Sequence, residues 1–304
     1  MPQPEPLLLG VDGGGTKCRA RLAAADGSAL AEAVAGPANI RFGMKASFAA
    51  VFEAGAQCLH HAGLSSRDST RVVACLALAG ASEPHHRAVA QRYPHPYRDA
   101  IVTTDAHAAC VGAHAGRDGA IIIIGTGSIG WGELRGRQLR VGGWGPAISD
   151  EGSGTWLGRE AVRRVLWAYD GRMPWSPLLD DLFGRFRSDP HKIVRWSARA
   201  APRELAAIAP RVVEFAAKGD AVALELMRLG AARIDTMARA LVSAGGTPLA
   251  LMGGLAQPME PWLSAETRRH LVPPAGDALD GALRLAAAAA GLPSHDAPAF
   301  SHGA

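Results

Sequence analysis

Apolar residues in this chain gather in short runs that end in glycine-rich turns, and further along they give way to helical spacing. Leu7-Leu8-Leu9-Gly10-Val11 reads as a buried strand that enters Asp12-Gly13-Gly14-Gly15-Thr16-Lys17 and leaves as a second strand, Cys18 to Leu22. A third strand follows to about residue 34, with Asp26-Gly27 at the turn. Gly36-Pro37-Ala38-Asn39 breaks the pattern and opens a loop, and apolar spacing of three and four predicts a helix from Ser47 to Ala62. Val72–Leu78 is a fourth strand ending at Ala79-Gly80. Ala100–Thr104 is a fifth, ending at Asp105, with a helix from His107 to His114. Strands alternating with helices predict an α/β domain.

Gly116-Arg117-Asp118-Gly119 is a polar hinge before a second set of hairpins, Ala120 to Val141. Its first strand, Ala120–Ile124, runs into Gly125-Thr126-Gly127-Ser128. Two glycine-rich loops follow, Gly142–Pro146 and Asp150–Gly154. From Thr155 to Ala244 the pattern is helical. Leu249–Met252 is a strand ending at Gly253-Gly254, and Leu279–Leu292 is helical again. The expected organisation is an N-terminal lobe over 1–117, a C-terminal lobe over 118–292 and a disordered tail over 293–304.

At 304 residues and 48% apolar, the chain buries a substantial core and has length for two domains. With 20% charged residues it reads as globular rather than disordered. The net charge of +4 is carried mainly by scattered arginine, the lysines being Lys17, Lys45, Lys192 and Lys218, so no basic run points to nucleic acid. Cys18, Cys58, Cys75 and Cys110 lack C-x-x-C or zinc spacing and fit a reducing, cytoplasmic setting. The N-terminal segment does not read as a signal peptide, and no apolar stretch is long enough to span a bilayer.

Three apolar strands that end in glycine turns suggest a nucleotide held between two related lobes. Glycine lets backbone approach a ligand and take positive φ, so that successive N–H groups converge on an anion. Thr16 can add a hydroxyl, and Asp12, at a strand end, can hold a divalent cation shared with phosphate. The one-loop pattern G-x-x-x-x-G-K-[ST] is absent, and Gly13-Gly14-Gly15 lacks dinucleotide G-x-G-x-x-G spacing. Asp105 ends an apolar strand, where a carboxylate can point into a cleft as a general base, although an Asp before a helix also serves as its N-cap. Asp150 lies among glycines that let the chain wrap a polar ligand, with the same capping alternative for the helix near Thr155. Asn39 is open to turn chemistry. Glu151 reads as helix-start charge, the His60-His61 and His85-His86 pairs as solvated or capping, and the tryptophans at 156, 167, 175 and 196 as core.

DGGGTKCRARL, GPANI at 36–40, LALAGA at 76–81, TTDAHAACVGAH at 103–114, GAIIIIGTGS, GGWGPAISDEGSGTWLG, LMGGLA and GDALDGALRLA at 276–286 together resemble the acetate and sugar kinase, heat-shock chaperone and actin superfamily. Within it the chain is similar to bacterial glucosamine and N-acetylglucosamine kinases of the BadF/BadG-type ATPase group, from Leu7 to Leu292. The resemblance implies two ribonuclease-H-like lobes with an interlobe active-site cleft, the actin-like ATPase fold, with the terminal helix able to return to the N-terminal lobe. It implies ATP and Mg²⁺ as cofactors, an amino sugar as acceptor at its 6-hydroxyl, and a homodimer. Gly13, Gly14, Gly15, Thr16 and Lys17 form the first phosphate loop in this comparison, Gly125, Thr126 and Gly127 the second, and Gly253 and Gly254 pass the nucleoside. Asp12 goes with the metal, and Asp105 is the catalytic base and a sugar contact. Asn39, Ser128, Gly143, Trp144, Gly145 and Asp150 meet the sugar. Free glucosamine is the expected substrate, ahead of N-acetylglucosamine.

Two other classes share the fold. An ATPase that activates 2-hydroxyacyl-CoA dehydratases needs closely placed cysteines for an iron–sulfur cluster, which this sequence does not offer. A sugar-responsive repressor is expected to carry a DNA-binding helix pair before the first strand. A non-catalytic sugar sensor would have little use for Asp12, Thr16, Asp105, Ser128 and Asp150 together.

Overall fold

The computed structural model describes residues 5–292; the expected tail, 293–304, lies outside the described residues. In chain order the first elements are β1 (Leu7–Gly13), β2 (Cys18–Ala23), β3 (Ala29–Ala35), α1 (Met44–His61), β4 (Val72–Leu78), α2 (Pro84–Gln91), β5 (Asp99–Thr103) and α3 (Asp105–Ala113). Next come β6 (Gly119–Ile124), β7 (Ser128–Leu134), β8 (Arg137–Gly142), α4 (Gly154–Tyr169), α5 (Pro177–Arg185), α6 (Pro190–Ser197), α7 (Pro202–Ala206), α8 (Ala209–Ala217) and α9 (Ala221–Ser243). The last are β9 (Leu249–Met252), α10 (Ala256–Met259), α11 (Ala265–Arg268) and α12 (Ala278–Ala289). Contacts divide the chain into two compact units, one from the residues up to 119 with those from 273 onward, the other from 120–272. No helix among the described residues is long and apolar enough to cross a membrane.

The first unit is built on a five-stranded sheet of order β3-β2-β1-β4-β5, with β1, β4 and β5 parallel and β2 and β3 added antiparallel. Strand side chains alternate between faces, and here the alternation divides two cores. Leu7, Leu9 and Val11 of β1 and Cys18, Ala20 and Leu22 of β2 pack with Phe48, Val51 and Ala54 of α1. Leu8 and Ala23 pack on the other side with Ala282, Leu283 and Ala286 of α12. The alternation places Arg19, Arg21, Gly10 and Asp12 on this second face. A Cβ at Gly10 would lie 2.8 Å from the Leu279 carbonyl oxygen, so glycine is what lets α12 sit down on β1.

Arginine in a sheet face covered by a helix requires partners. Arg21, 2% exposed, meets Glu32 at 2.6 Å and Asp280 at 2.5 Å. Arg19 joins Asp12 at 2.8 Å to Asp277 at 3.0 Å. Asp277 is also the N-cap of α12 and accepts the Leu279 and Asp280 amides at 2.8 and 3.1 Å. Where α12 crosses α3, both backbones touch: a Cβ on Gly281 would fall 1.8 Å from the Ala108 oxygen, and one on Gly112 1.9 Å from the Asp277 oxygen.

The second unit has a four-stranded sheet of order β8-β7-β6-β9, with β9 parallel to β6. Ile122, Ile124 and Leu249 share one core with Leu157 and Val165 of α4 and Ile234 and Leu241 of α9, and Trp156 and Trp196 pack against it.

Element starts differ from the sequence reading in a consistent way. Helix α1 begins at Met44 rather than Ser47, because its first turn leaves Lys45 and Ala46 exposed and so shows no apolar periodicity. Helix α2 buries only Ala90, which explains why it left no apolar signal. Its start is written instead in Glu83-Pro84, the Glu83 carboxylate accepting the His85 and His86 amides at 3.0 and 2.8 Å.

Gly281→Ala should lower stability by about 2–3 kcal/mol, the usual cost of overpacking where backbone must move. Gly184→Ala, in α5 with nothing within 4 Å of the added methyl, should raise it by about 0.5–1 kcal/mol. Urea denaturation of both variants checks the opposite signs.

Candidate active-site edges of the two units

Strands β1, β4 and β5 run parallel and end in step, Gly13 opposite Leu78 and Ala77 opposite Thr103. Open α/β sheets bind ligands at the carboxyl ends of their strands, and the first unit's candidates all lie on that edge. The turn after β1 closes through Gly14 N–H to the Lys17 carbonyl at 2.9 Å. Gly14 in turn accepts the Ala38 amide at 2.9 Å, Gly13 accepts the Ala79 amide at 2.8 Å, and Ala79 accepts Ile40 at 3.1 Å. Backbone hydrogen bonds thus lace the 13–17 turn, the 36–40 loop and the 78–81 turn into one surface.

Glycine is needed here for a reason other than the one read from sequence. None of Gly13, Gly14 and Gly15 has a positive φ. A Cβ on Gly13 would instead strike Leu78 at 2.6 Å, and Gly80, which does have φ +90°, would strike Arg41 at 2.7 Å and the Asn39 Oδ1 at 2.9 Å. Gly15, Thr16 and Lys17 are exposed at the tip of the turn. Asn39 uses Oδ1 to accept the Arg41 amide at 3.0 Å, the turn chemistry expected of it, while its Nδ2 stands 3.9 Å from where a Gly15 Cβ would be. Its amide donor is therefore turned toward the glycine turn.

Asp105 is freed from the capping alternative. Thr104 is the N-cap of α3, its Oγ1 accepting the His107 amide at 2.9 Å, and Asp105 is the first helical residue, half-buried, with Oδ1 accepting the Ala106 amide at 2.9 Å. Two residues on, the His107 ring nitrogen pairs with the Thr103 hydroxyl at 2.6 Å, and burial holds the imidazole below its ordinary pKa, with Arg87 acting the same way.

In the second unit β6 and β9 also end together, Ile123 opposite Met252. Gly125 and Thr126 carbonyls accept the Gly154 and Thr155 amides at 2.8 and 3.1 Å, so the turn after β6 is bonded to the first residues of α4. Gly253, at φ +92°, lies so close to β6 that a Cβ would sit 2.5 Å from the Ile124 oxygen, whereas Gly254 has open space. Ser128 is buried and donates its hydroxyl to the Glu151 carbonyl at 2.8 Å, which ties the strand to the Asp150 loop.

Asp150 is buried in the left-handed region at φ +62°. Ser153, not Asp150, caps α4 by accepting the Trp156 amide at 3.2 Å. The Asp150 Oδ1 accepts the Gly145 amide at 3.2 Å, and its Oδ2 lies 2.7 Å from where a Gly127 side chain would begin. Burial raises its pKa; the Gly145 amide, Arg140 and Arg159 pull it down, and Glu151 pushes it up. Gly142, Gly143 and Gly145 all have positive φ, and between them Trp144 is 64% exposed with the Arg140 guanidinium 3.9 Å from its ring centre.

Two arginines at these edges, Arg19 and Arg140, are absent from the sequence reading. Arg19 was within reach of it, since in a hairpin closed by the 13–17 turn it pairs directly opposite Asp12. Among the described residues no group of three His, Cys, Asp or Glu side chains could hold a metal ion. A Mg²⁺ ion shared with phosphate takes as few as one or two carboxylates, the rest of its ligands being phosphate oxygens and water. Asp12 fits that partial set, since both its contacts with Arg19 fall on Oδ2. All four cysteines are buried thiols outside any disulfide, and burial pushes Cys18 and Cys58 up to about 12.

The chain is 39% identical over 288 residues to the glucosamine kinase GspK of Vibrio cholerae serotype O1, covering 95% of this chain and 97% of that protein. It is 30% identical over 243 residues to an N-acetylmuramic acid/N-acetylglucosamine kinase of Clostridium acetobutylicum, covering 77% of this chain and 79% of that one. Among solved structures, one from Chromobacterium violaceum, provisionally named an N-acetylglucosamine kinase, superposes with a TM-score of 0.87 at 35% identity, over 93% of this chain and 99% of the other. The profile of the BadF/BadG/BcrA/BcrD ATPase family matches residues 9–278, which takes in both candidate edges, and the chain belongs to that family.

Proposed function

We propose that the protein is an ATP-dependent amino-sugar kinase that phosphorylates the 6-hydroxyl of glucosamine. The observation that carries the reading is the 39% identity to a glucosamine kinase along nearly the whole of both chains. N-acetylglucosamine is the second reading, favoured by the likeness to the two proteins named for that sugar. The substrates differ by one acetyl group, and discrimination of that size rests on pocket shape and on polar groups left unpaired.

Phosphoryl transfer asks for positioned phosphates, charge stabilisation, and an acceptor for the hydroxyl proton. In this proposal Gly13–Lys17 and Gly125–Gly127 offer backbone donors to the ATP phosphates, and Gly253 and Gly254 leave room for the nucleoside. Asn39, Gly143, Trp144, Gly145 and Asp150 hold the sugar. Ser128 contributes to that site through the Glu151 carbonyl it secures. Asp105 takes the proton from the 6-hydroxyl as the oxygen bonds to the γ-phosphorus and the bond to the β-phosphate oxygen breaks, releasing ADP. Mg²⁺, with Asp12 nearby, supplies charge neutralisation on the phosphates when bound. A homodimer belongs to the same proposal on the family resemblance, and a cytoplasmic setting on the spacing of the four cysteines.

A coupled ADP-release assay with ATP, Mg²⁺ and glucosamine, N-acetylglucosamine, glucose, mannosamine or no sugar tests the reading. Turnover highest with glucosamine is expected; highest turnover with N-acetylglucosamine moves the substrate to the second reading, and ADP release indifferent to sugar overturns the kinase assignment. Asp105→Asn should reduce kcat by about 10²–10⁴-fold, the range for a positioned general base, with ATP affinity by calorimetry unchanged. Thr104→Ala should do the reverse, costing about 1 kcal/mol of stability as a lost N-cap while most turnover survives.

A further inference from the structure

Past Gly142, the last residue of β8, which pairs with Ile129, the chain to Gly145 has little of its own to hold it. Gly142, Gly143 and Gly145 take φ of +68°, +69° and +103°, conformations that glycine reaches freely and leaves as freely. The side chain between them, Trp144, is 64% exposed. Yet one residue of the preceding strand, Arg140, contacts three successive loop positions. Its Nε donates to the Gly142 carbonyl at 3.1 Å, its Nη2 donates to the Gly143 carbonyl, and its guanidinium carbon stands over the Trp144 ring, 3.9 Å from the ring centre.

The rest of the loop is pinned from the other side. The Gly145 amide donates to Asp150 at 3.2 Å, and Arg159 of α4 donates to the Pro146 carbonyl at 2.6 Å. Only arginine can make the Arg140 set of contacts, because its planar fork donates in two directions while its face stacks on an indole. With one face of Trp144 covered by the guanidinium, a sugar ring can use only the other.

We propose that Arg140 is a positioning residue for the acceptor sugar, fixing Gly142–Trp144 so that the open face of Trp144 and the Asp150 carboxylate are presented together. The inference rests on the reading of this loop as the sugar loop. Arg140 acts through the loop and not on the phosphates, so its loss should appear in the sugar KM and leave the ATP KM alone.

The test compares Arg140→Met and Arg140→Lys with Asp150→Asn, in steady-state kinetics with the best sugar of the panel. Arg140→Met should raise the sugar KM about tenfold or more, the scale of losing hydrogen bonds from a charged donor, with kcat and the ATP KM within twofold. Arg140→Lys should recover only part, since an ammonium cannot bond both carbonyls and stack at once. A second readout is the acid limb of kcat/KM for the sugar. Asp150 is faced by Arg140, Arg159, Glu151 and the Gly145 amide. Removing one of the two cations raises its pKa, so the fall in kcat/KM should begin at a higher pH in Arg140→Met than in the parent.

If Asp150→Asn raises the sugar KM but Arg140→Met leaves both that KM and the acid limb unmoved, the inference is wrong and the sugar-loop reading stands. If neither variant changes the sugar KM, the loop reading has failed and takes the inference with it. A loss of thermal stability in Arg140→Met with unchanged sugar KM reduces Arg140 to a scaffold residue and overturns the proposal equally.

Discussion

Parallel pairing of strands that stop in the same register is the constraint on which each unit depends. In the first unit β1, β4 and β5 end together, and in the second β6 and β9 do. Every connection leaving those ends must turn at one edge of the sheet, so turns distant in sequence become neighbours. Backbone hydrogen bonds lace the 13–17 turn to the 36–40 loop, and both to the 78–81 turn. Side chains at the edge are thereby released from holding the fold and become available for chemistry.

The same division of labour shows at the helix starts. An aspartate in front of a helix is ordinarily engaged by the helix amides. Here Thr104 caps α3 and Ser153 caps α4, each with its own hydroxyl, while the Asp105 carboxylate accepts the Ala106 amide and the Asp150 carboxylate accepts the Gly145 amide. Asp150 also stays in the left-handed region, which a non-glycine residue keeps only where its surroundings dictate it. The Gly145 amide on one side and the shoulder of Gly127 on the other supply that dictation.

Much of this is legible in the sequence. The strands were legible because each is an unbroken apolar run, as in Val72–Leu78, where every residue is buried. The glycine turns were legible as punctuation, but their reason was not: Gly13 and Gly281 are glycine because another part of the chain touches them, and contact is not a local property. Helix α2 was missed because it buries a single residue, so apolar periodicity had nothing to report. At the candidate site, Asp105 and Asp150 stood out by position after a strand or among glycines, whereas their capping alternatives could be dismissed only when Thr104 and Ser153 were seen to do that work. Arg140 could not be found from sequence, since nothing in a strand of mixed polarity announces that one side chain folds forward over the next loop.

The choice of arginine over lysine, visible in the composition, acquires a structural reason. Arg19 bridges Asp12 and Asp277, Arg21 bridges Glu32 and Asp280, Arg164 bridges Glu160 and Glu225, and Arg211 bridges Asp181 and Glu214. Each joins two acceptors on different turns or different elements, which a planar fork of donors can do and a single ammonium cannot do with fixed geometry. Exposed ion pairs contribute little to stability, but Arg21 and Arg164 are 2% and 5% exposed, and there an unpaired charge would be costly. In the first unit these bridges fasten the start of α12 to β2 on the face that also carries Asp12. The helix that closes the described chain is thus tied by charge, as well as by its apolar side, to the strand hairpin that presents the first glycine turn.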